Sequence, residues 1–468
     1  MTGFVSAAVV LACLGALVGI QRRISPAFLL VLTMAPILVG FEVVGARLGS
    51  APHSWAVYAT VPAFTCGVLA VGRRGGEAGV VPRSGRAGVR PAGLRGSQQI
   101  GLAVSALLVC GLAVTHFSIV GIPVLSENPE MERFNLGASG LFGLPSRGVL
   151  FCLPILAMLC GVKYDRLPRW VTGVVWSVFV LSRLALGFKG GLVEVLVVLV
   201  TVVLLRGRVR PAAVITGLPL LALALYYGTW IGNQYQTVAR SGGASLDYLL
   251  DRLTLVAARP AWYSLMLGRT VTQGDPVFGY DLRYFAARYL GLGGGPVFAY
   301  DEIVSSYVTG TPLSGGFFLV PVTTGGAAYL INSVGAVLAV VVAGTLGYAW
   351  QRCCDRIAAS REVLAMLACI TFVLAARTFL INGGGVYVVV NYGFALTLLA
   401  IPYLVVVTVV RIQEENDARR RGRSPVAGRR LRHAPPRSQD RGRGVSCARL
   451  VGTGTPRRSA RGPDQRES

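Results

Sequence analysis

Long runs of apolar residues alternate with shorter polar segments along most of the chain. The runs have about the length that an α-helix needs to cross the hydrocarbon core of a bilayer, roughly 20 residues. They are too long and too uniformly apolar for the strands of a membrane barrel. We predict eleven transmembrane helices, at about 3–20, 27–46, 55–72, 98–116, 148–162, 171–188, 190–205, 212–229, 327–349, 363–381 and 386–410. The pattern therefore predicts an all-α, polytopic integral membrane protein whose transmembrane domain covers 1–410.

The composition agrees with a membrane protein and not with a soluble domain. Of the 468 residues, 53% are hydrophobic and only 14% are charged, whereas soluble proteins carry about 25% charged residues. The net charge of +24 would suit a nucleic-acid ligand, but nearly all of the excess lies in short loops and in the C-terminal tail. We therefore interpret it as an orientation signal and as contact with anionic membrane lipids, and we expect no nucleic-acid partner.

The distribution of Lys and Arg predicts how the helices are oriented. Every second connection between the predicted spans, together with the C-terminal tail, lies on the same side of the membrane. These segments hold 33 of the 45 basic residues, at 21–26, 73–97, 163–170, 206–211, 350–361 and 411–468. Cytoplasmic loops carry this excess in membrane proteins, so we predict an N-terminus outside and a C-terminus inside. Arg22 and Arg23 follow the first apolar run instead of preceding it, which indicates a retained span and not a cleaved signal. The expected location is the cytoplasmic (inner) membrane.

Two predicted outer loops are much longer than the rest, at 117–147 and at 230–326 between spans eight and nine. Loops of this length are usually functional or unstructured. The second loop has a helical pattern over 244–267 and many aromatic residues, so we expect it to be ordered. The basic loop 73–97 and the tail 411–468 are rich in Arg, Pro, Gly and Ser, and we expect both to be disordered and cytoplasmic.

Motifs for metal or cofactor chemistry are missing from the sequence. None of the nine cysteines falls in a predicted outer loop, so no disulfide framework is expected. The three histidines do not form a zinc-binding pattern. The Gly-rich stretch 291–295 is not framed as a phosphate-binding loop. We therefore expect no metal and no cofactor.

Charged residues inside or beside the predicted spans are costly and are usually paired or functional. Arg183 and Glu194 lie at similar depths on either side of the turn at 186–192, so they can pair across the hairpin. Lys189 in that turn is then available for an anion, or it extends to the interface by snorkelling. Arg377 lies about one turn below the outer end of span ten, and the same two interpretations apply to it.

The chain resembles the bacterial oligosaccharide repeat-unit polymerases, the O-antigen and capsule polymerase family, in three segments. Residues 121–126 (GIPVLS) followed by Arg133 are similar to the first outer segment of the family. Residues 187–190 (GFKG) resemble its Gly-Ser-Arg-Gly turn, with Lys189 in place of Arg. Residues 329–335 (YLINSVG) resemble its Tyr-x-Asn-Phe-Gly stretch, although Ala327 stands where the family has Glu. The resemblance covers about 1–410.

The resemblance implies an inverting, metal-independent glycosyltransferase. It would polymerise undecaprenyl-pyrophosphate-linked repeat units at the outer membrane face for cell-surface polysaccharide, with a flippase and a chain-length regulator as further partners. By resemblance, Arg133 and Lys189 are catalytic cations at the pyrophosphate, where positive charge helps the leaving group to depart.

The remaining candidates lie mostly in the large outer loop. Asp281 and Glu302 are candidate catalytic carboxylates, since a base is needed toward the acceptor hydroxyl. Aromatic residues near them can stack on sugar rings. The expected substrate-binding residues are Arg147, Arg283, Arg288, Arg377, Tyr280 and Tyr284. For each of these residues a solvated or purely structural role is the alternative interpretation.

Three other functions fit a polytopic chain of this kind: a lipid-linked glycan ligase or sugar transferase, a transporter or flippase, and a non-catalytic assembly factor. The two halves of the chain show no internal repeat, which many transporters have. The charges inside the spans also cluster near the predicted outer face and not at mid-membrane. Both features favour the polymerase.

Overall fold

The fold is taken from a computed structural model that describes residues 4–21, 24–75, 96–126, 143–163, 167–187, 191–206, 258–310, 313, 324–360 and 362–422. Within these ranges the regular structure is helical. The helices are α1 (Phe4–Gln21), α2 (Pro26–Leu48), α3 (Ser54–Gly75), α4 (Gly96–Val120), α5 (Gly143–Val162), α6 (Arg169–Ala185), α7 (Gly191–Arg206), α8 (258–267), α9 (Val277–Leu290), α10 (Tyr300–Thr309), α11 (Gly326–Val334), α12 (Ala336–Ala359), α13 (Val363–Asn382) and α14 (Gly385–Gly422). Short 3-10 turns follow α4 at Pro123–Leu125 and α8 at Thr270–Thr272.

Seven of the described helices are long and apolar enough to cross a membrane. These spans are Phe4–Gln21, Pro26–Leu48, Ser54–Val71, Gly96–Leu125, Ala336–Ala359, Val363–Asn382 and Gly385–Asp417. An all-α chain that crosses a membrane several times is therefore confirmed.

The other four predicted spans are not among these seven helices. The span predicted at 148–162 corresponds to a shorter apolar helix, Gly148–Val162. The spans predicted at 171–188 and 190–205 correspond to α6 and α7, which have 17 and 16 residues. The span predicted at 212–229 lies outside the described residues, so the count of eleven stays a prediction.

The span predicted at 327–349 is not one continuous helix. It is broken into α11 and α12 at Gly335, which has a φ of 90°. This conformation is open to glycine and unfavourable for other residues. Arg269 donates from Nε to the Asn332 carbonyl at 3.0 Å and from Nη2 to the Ser333 carbonyl at 3.2 Å, so it caps the end of α11. The prediction of an unbroken span was therefore wrong.

The backbones of α3 and α12 are in direct contact. A Cβ atom on Gly67 would lie 1.9 Å from the Gly344 carbonyl oxygen, and one on Gly347 would lie 2.0 Å from the Phe64 carbonyl oxygen. Neither position therefore has room for a side chain. Small residues allow this close approach, which is how helices associate without a hydrophobic driving force in lipid.

Helices α8 to α11, none of which is a candidate span, pack against one end of the bundle, which we call the loop end. There the Trp262 indole nitrogen donates to the Gly49 carbonyl at 3.0 Å, and the Gly325 backbone N–H donates to the Asn382 carbonyl at 3.2 Å. At the opposite, basic end, Lys163 Nζ donates to the Ser360 carbonyl at 2.9 Å. The two ends of the bundle therefore differ in chemistry.

Parts of the predicted loops can be compared with the structure. Residues 258–267 of the helical pattern at 244–267 are helical, and the rest of that pattern lies outside the described residues. Most of 73–97 and of 117–147 also lies outside them. Helix α14 continues past position 410 to Gly422, so the first part of the predicted tail is helical. The compact unit that contains the bundle is Met1–Glu415.

Candidate functional site

A buried carboxylate at the loop end connects four helices. Asp281 of α9 accepts the Tyr300 backbone N–H on Oδ1 at 3.1 Å and the Tyr329 hydroxyl on Oδ2 at 3.0 Å. The Tyr329 oxygen in turn accepts a backbone hydrogen bond from Val386, in the first turn of α14. Both oxygens of the carboxylate are therefore held in place by donors from α10 and α11.

A second set of hydrogen bonds, next to Asp281, joins α8, α10 and α11. Asn332 Nδ2 donates to the Ser264 carbonyl at 2.7 Å and to the Tyr300 hydroxyl at 3.0 Å. The Tyr300 hydroxyl donates to the same Ser264 carbonyl at 3.1 Å. All three side chains are buried. Buried polar groups that satisfy one another in this way give a rigid arrangement, so the surroundings of Asp281 are well defined.

Asp301, the neighbour of Tyr300, lies under the glycine turn between α13 and α14. It accepts the Thr324 hydroxyl at 3.2 Å. A Cβ on Gly384 would lie 3.3 Å from Asp301 Oδ2, and one on Gly383 would lie 2.5 Å from Thr324 Oγ1. The turn therefore needs glycine in order to close over this carboxylate.

Burial changes the proton affinity of both aspartates. It raises the pKa of Asp281 to about 6, against the hydrogen bonds from Tyr300 and Tyr329, which lower the pKa. Burial, followed by the negative charge of Asp281, raises the pKa of Asp301 well above its usual value. A carboxylate that titrates near neutral pH suits proton transfer better than an ordinary exposed one. Asp281, which was predicted as a catalytic carboxylate, therefore has a raised pKa near neutral pH, and its catalytic role stays a prediction.

Glu302, the second predicted catalytic carboxylate, has a structural contact. Its Oε2 accepts the Ala299 backbone N–H at 2.8 Å, so it caps the first turn of its own helix, α10. Burial raises the pKa of Glu302, although the positive charge of Arg288 opposes the rise. Of the two predicted carboxylates, Asp281 is the better placed for chemistry.

Of the other predicted residues of α9, Tyr280 is close enough to Asp281, Arg283 and Glu302 for their charges to act on its hydroxyl. Arg283 is exposed and forms an ion pair with Asp275. Arg288 is exposed. The Tyr280 hydroxyl donates to the Phe298 carbonyl at 3.3 Å. Tyr284 is partly buried and has contacts of its own.

The ion pair predicted across the α6–α7 hairpin is confirmed. Arg183 Nε lies 3.0 Å from Glu194 Oε2, and Arg183 Nη2 donates to Glu194 Oε1 at 3.2 Å. Arg183 Nη2 also lies 3.3 Å from the Leu150 carbonyl, its acceptor on α5. The guanidinium is thus enclosed by three helices.

Arg377 belongs to the same part of the bundle as this ion pair. The charges of Glu194, Arg377 and Arg183 all act on the buried Tyr392 hydroxyl. That hydroxyl is hydrogen-bonded to Thr378 at 2.9 Å. The Nε of Arg377 is buried and makes no hydrogen bond within the described part of the chain. Two arginines therefore act on one buried tyrosine near the loop end of α6, α13 and α14, and we call Arg183, Glu194, Arg377 and Tyr392 the cation cluster.

The side chains of three predicted cations lie outside the part of the chain that the structure describes. Arg133 and Lys189 lie outside the described residues, and of Arg147 only the backbone, in α5, is described. Helix α6 ends shortly before Lys189 and α7 begins shortly after it, with Arg183 and Glu194 on either side.

Sequence reasoning missed the residues that hold Asp281 in place. Tyr329 and Asn332 were noticed only as part of a motif, and Tyr300 and Ser264 were not singled out. Their one signal is the spacing of Tyr329 and Asn332, which puts both on one face of a helix. Among the described residues no group of three or more His, Cys, Asp or Glu could hold a metal ion.

The chain was compared with models of protein families, with curated proteins and with solved structures, and none of them matches.

Proposed function

We propose that the chain polymerises undecaprenyl-pyrophosphate-linked oligosaccharide repeat units at the outer face of the cytoplasmic membrane, as a step of cell-surface polysaccharide biosynthesis. The observation that carries this proposal is the arrangement of charge at the loop end. Asp281, which is held by hydrogen bonds and has a raised pKa, connects to α13 through Tyr329 and Phe379. Arg377 of α13 and the buried Arg183 both act on the Tyr392 hydroxyl next to that helix end.

Helix α13 brings the two groups near each other. Arg377 belongs to the cation cluster and Thr378 is hydrogen-bonded to its Tyr392, whereas Phe379 packs edge-on against the Tyr329 ring with the centroids 5.9 Å apart. Phe379 thus links this helix end to Asp281 through Tyr329. A cation on α13 and a base two contacts away suit a substrate that has a diphosphate at one point and a reacting hydroxyl near it.

The proposed reaction is an inverting displacement at a sugar carbon. The acceptor hydroxyl attacks the anomeric carbon of the donor, and the bond from that carbon to the pyrophosphate oxygen breaks. Asp281 takes the proton of the hydroxyl, and the lipid pyrophosphate leaves with the bonding electrons. Arg133, Lys189 and Arg377 stabilise the negative charge that develops on the leaving group.

The eleven-span topology, with the N-terminus outside and the C-terminus inside, is part of the same proposal. Its support is the chemistry of the two ends of the bundle. Lys163, Arg206, Arg352 and Arg356 lie at the end away from Asp281. Basic residues mark the cytoplasmic side, so the acid network then faces outward.

The test uses the full-length protein in lipid nanodiscs with lipid-linked repeat units extracted from the cell that makes it. We expect a ladder of products and release of undecaprenyl pyrophosphate. Separate changes of Arg133, Lys189 and Arg377 to Ala should each lower the rate about 100-fold at unchanged protein level. Arg352→Ala, at the basic end, is the matched control.

Each alternative function gives a different product. A ligase would transfer whole glycans to another acceptor and make no ladder, and a flippase would move the lipid-linked unit without releasing pyrophosphate. A normal ladder in all three cation variants would remove those residues from the mechanism.

A further inference from the structure

Helix α9 lies outside the candidate spans and has large apolar side chains along one side, two of them exposed and two partly buried. Phe278, Leu282, Phe285 and Tyr289 follow one another at helical spacing, so they share one side of the helix. Phe278 is 44% exposed and Leu282 is 49% exposed. Large apolar side chains grouped in this way mark a surface that meets something other than water.

The other two sides of α9 have different chemistry. Val277 and Asp281 are buried against the rest of the loop end. Arg283, the neighbour of Leu282, points to a third side, where it is exposed and paired with Asp275. The helix therefore has one packed side, one apolar side, and a third side on which Arg283 and Leu290 are exposed.

The apolar side of α9 is continuous with the lipid-facing side of a membrane span. The Phe278 backbone N–H donates to Ser333 Oγ at 3.2 Å, two residues before the Gly335 break where α12 begins. The first turn of α12 exposes Val337 at 68% and Leu338 at 57%. Since α12 is one of the apolar candidate spans, exposed apolar residues in its first turn suit the edge of the hydrocarbon, and the hydrogen bond to Ser333 puts Phe278 close to that turn.

We propose that α9 is an interfacial helix that lies in the plane of the bilayer surface, with Phe278, Leu282, Phe285 and Tyr289 inserted among the lipids. Amphipathic helices of this kind bury their apolar face about 5–10 Å into the boundary between headgroups and acyl chains. Tyr289, whose ring packs against Phe285 at 4.8 Å, is a residue type enriched at that boundary. The occupant of this face is the lipid bilayer.

This placement has a consequence for the neighbouring carboxylate. Asp281 is on α9, so insertion of the helix holds Asp281 at the depth of the lipid headgroups. The inference does not depend on the proposed reaction.

The test measures which solvent reaches the face in the intact protein. A thiol-directed label would also react with the nine native cysteines. A ketone-bearing amino acid is therefore encoded at position 282 and coupled to a nitroxide. The labelled full-length protein is then placed in nanodiscs. The matched control carries the nitroxide at position 283. Power-saturation spectroscopy then compares collisions with oxygen, which concentrates in lipid, and with a water-soluble nickel chelate.

We expect the nitroxide at 282 to collide mainly with oxygen and the nitroxide at 283 mainly with the nickel chelate. Equal access of the chelate to both positions would place the face in water and overturn the proposal. A label at 282 that neither reagent reaches would also overturn it, because another protein surface, such as a second copy of the chain, would then cover the face. The thermal stability of each labelled protein verifies that it is folded.

Discussion

The Tyr329 hydroxyl donates to Asp281 Oδ2 over 3.0 Å, although the two residues are 48 positions apart in the chain. A hydrogen bond to a carboxylate favours its ionised form. The Val386 backbone N–H, at the N-terminal end of α14, donates to the same hydroxyl oxygen, which polarises the hydroxyl further. Tyr329 thus opposes the effect of burial on Asp281 and keeps its pKa at about 6.

Changing Tyr329 to Phe should raise the pKa of Asp281, because the ring stays and only the donor is lost. The activity should then need a higher pH, so the rate falls near pH 6.5 and recovers at alkaline pH. The direct measurement is difference infrared spectroscopy of the protonated carboxyl band during a pH titration, which does not need a substrate. Tyr348→Phe, in α12, is the control. Identical titrations in the two variants would contradict the role given to Tyr329.

The folded protein should be more stable at pH 5 than at pH 8. The pKa of Asp281 rises from its ordinary value of 3.8 to about 6 on folding. Stability from this group is therefore fully present below about 3.8 and is lost as the pH rises through about 6. The raised pKa of Asp301 acts in the same direction.

Asp281→Asn should flatten that dependence, since the amide resembles the neutral acid and does not titrate. Thermal unfolding of the full-length protein in nanodiscs across this pH range measures the effect. Asp275→Asn, which removes a partly exposed carboxylate near α9, should leave the dependence as it was. If Asp281→Asn keeps the full pH dependence, Asp281 is not its source.

The glycine turn over Asp301 should not tolerate a side chain. Gly383 has a φ of 80°, and a Cβ there would lie 2.5 Å from Thr324 Oγ1. We expect Gly383→Ala to destabilise the protein by about 1–3 kcal/mol. Gly393→Ala, within α14 and with open space around it, should be neutral or slightly stabilising. The two melting temperatures are compared, and an equal effect would show that the turn is not constrained.

The buried ion pair between Arg183 and Glu194 should depend on both partners. Glu194→Ala leaves the guanidinium buried without its counter-charge, which costs about 3 kcal/mol or more. Replacing both residues with Met removes the unpaired charge and should recover much of the loss. Denaturation of the three variants in detergent measures this. A double variant as unstable as Glu194→Ala would mean that the pair does not act as a unit.

The sequence was sufficient for those features that depend on local pattern. Hydropathy identified the seven apolar helices, because each has enough consecutive apolar residues by itself. The pairing of Arg183 with Glu194 followed from equal distances to one turn, since a helix has a fixed rise for each residue.

Features that depend on contacts between distant segments were beyond the sequence. Hydropathy averages over about 20 residues, so the break at Gly335 left no signal within an apolar run. Nothing near Asp281 in the chain indicates that Tyr329 is its partner. Nor could the sequence show that Glu302 caps its own helix, because a helix cap and a base use the same side chain; its catalytic role stays a prediction.

The seam of Gly67, Gly344 and Gly347 limits the routes by which the proposed lipid-linked substrate could enter the protein from the bilayer. Helices α3 and α12 touch through their main chains along this seam, and parting them would forfeit the packing that holds membrane helices together. A long prenyl tail cannot slip sideways between these two helices. A lateral opening that admits the proposed substrate from the bilayer must therefore lie between other helices of the bundle.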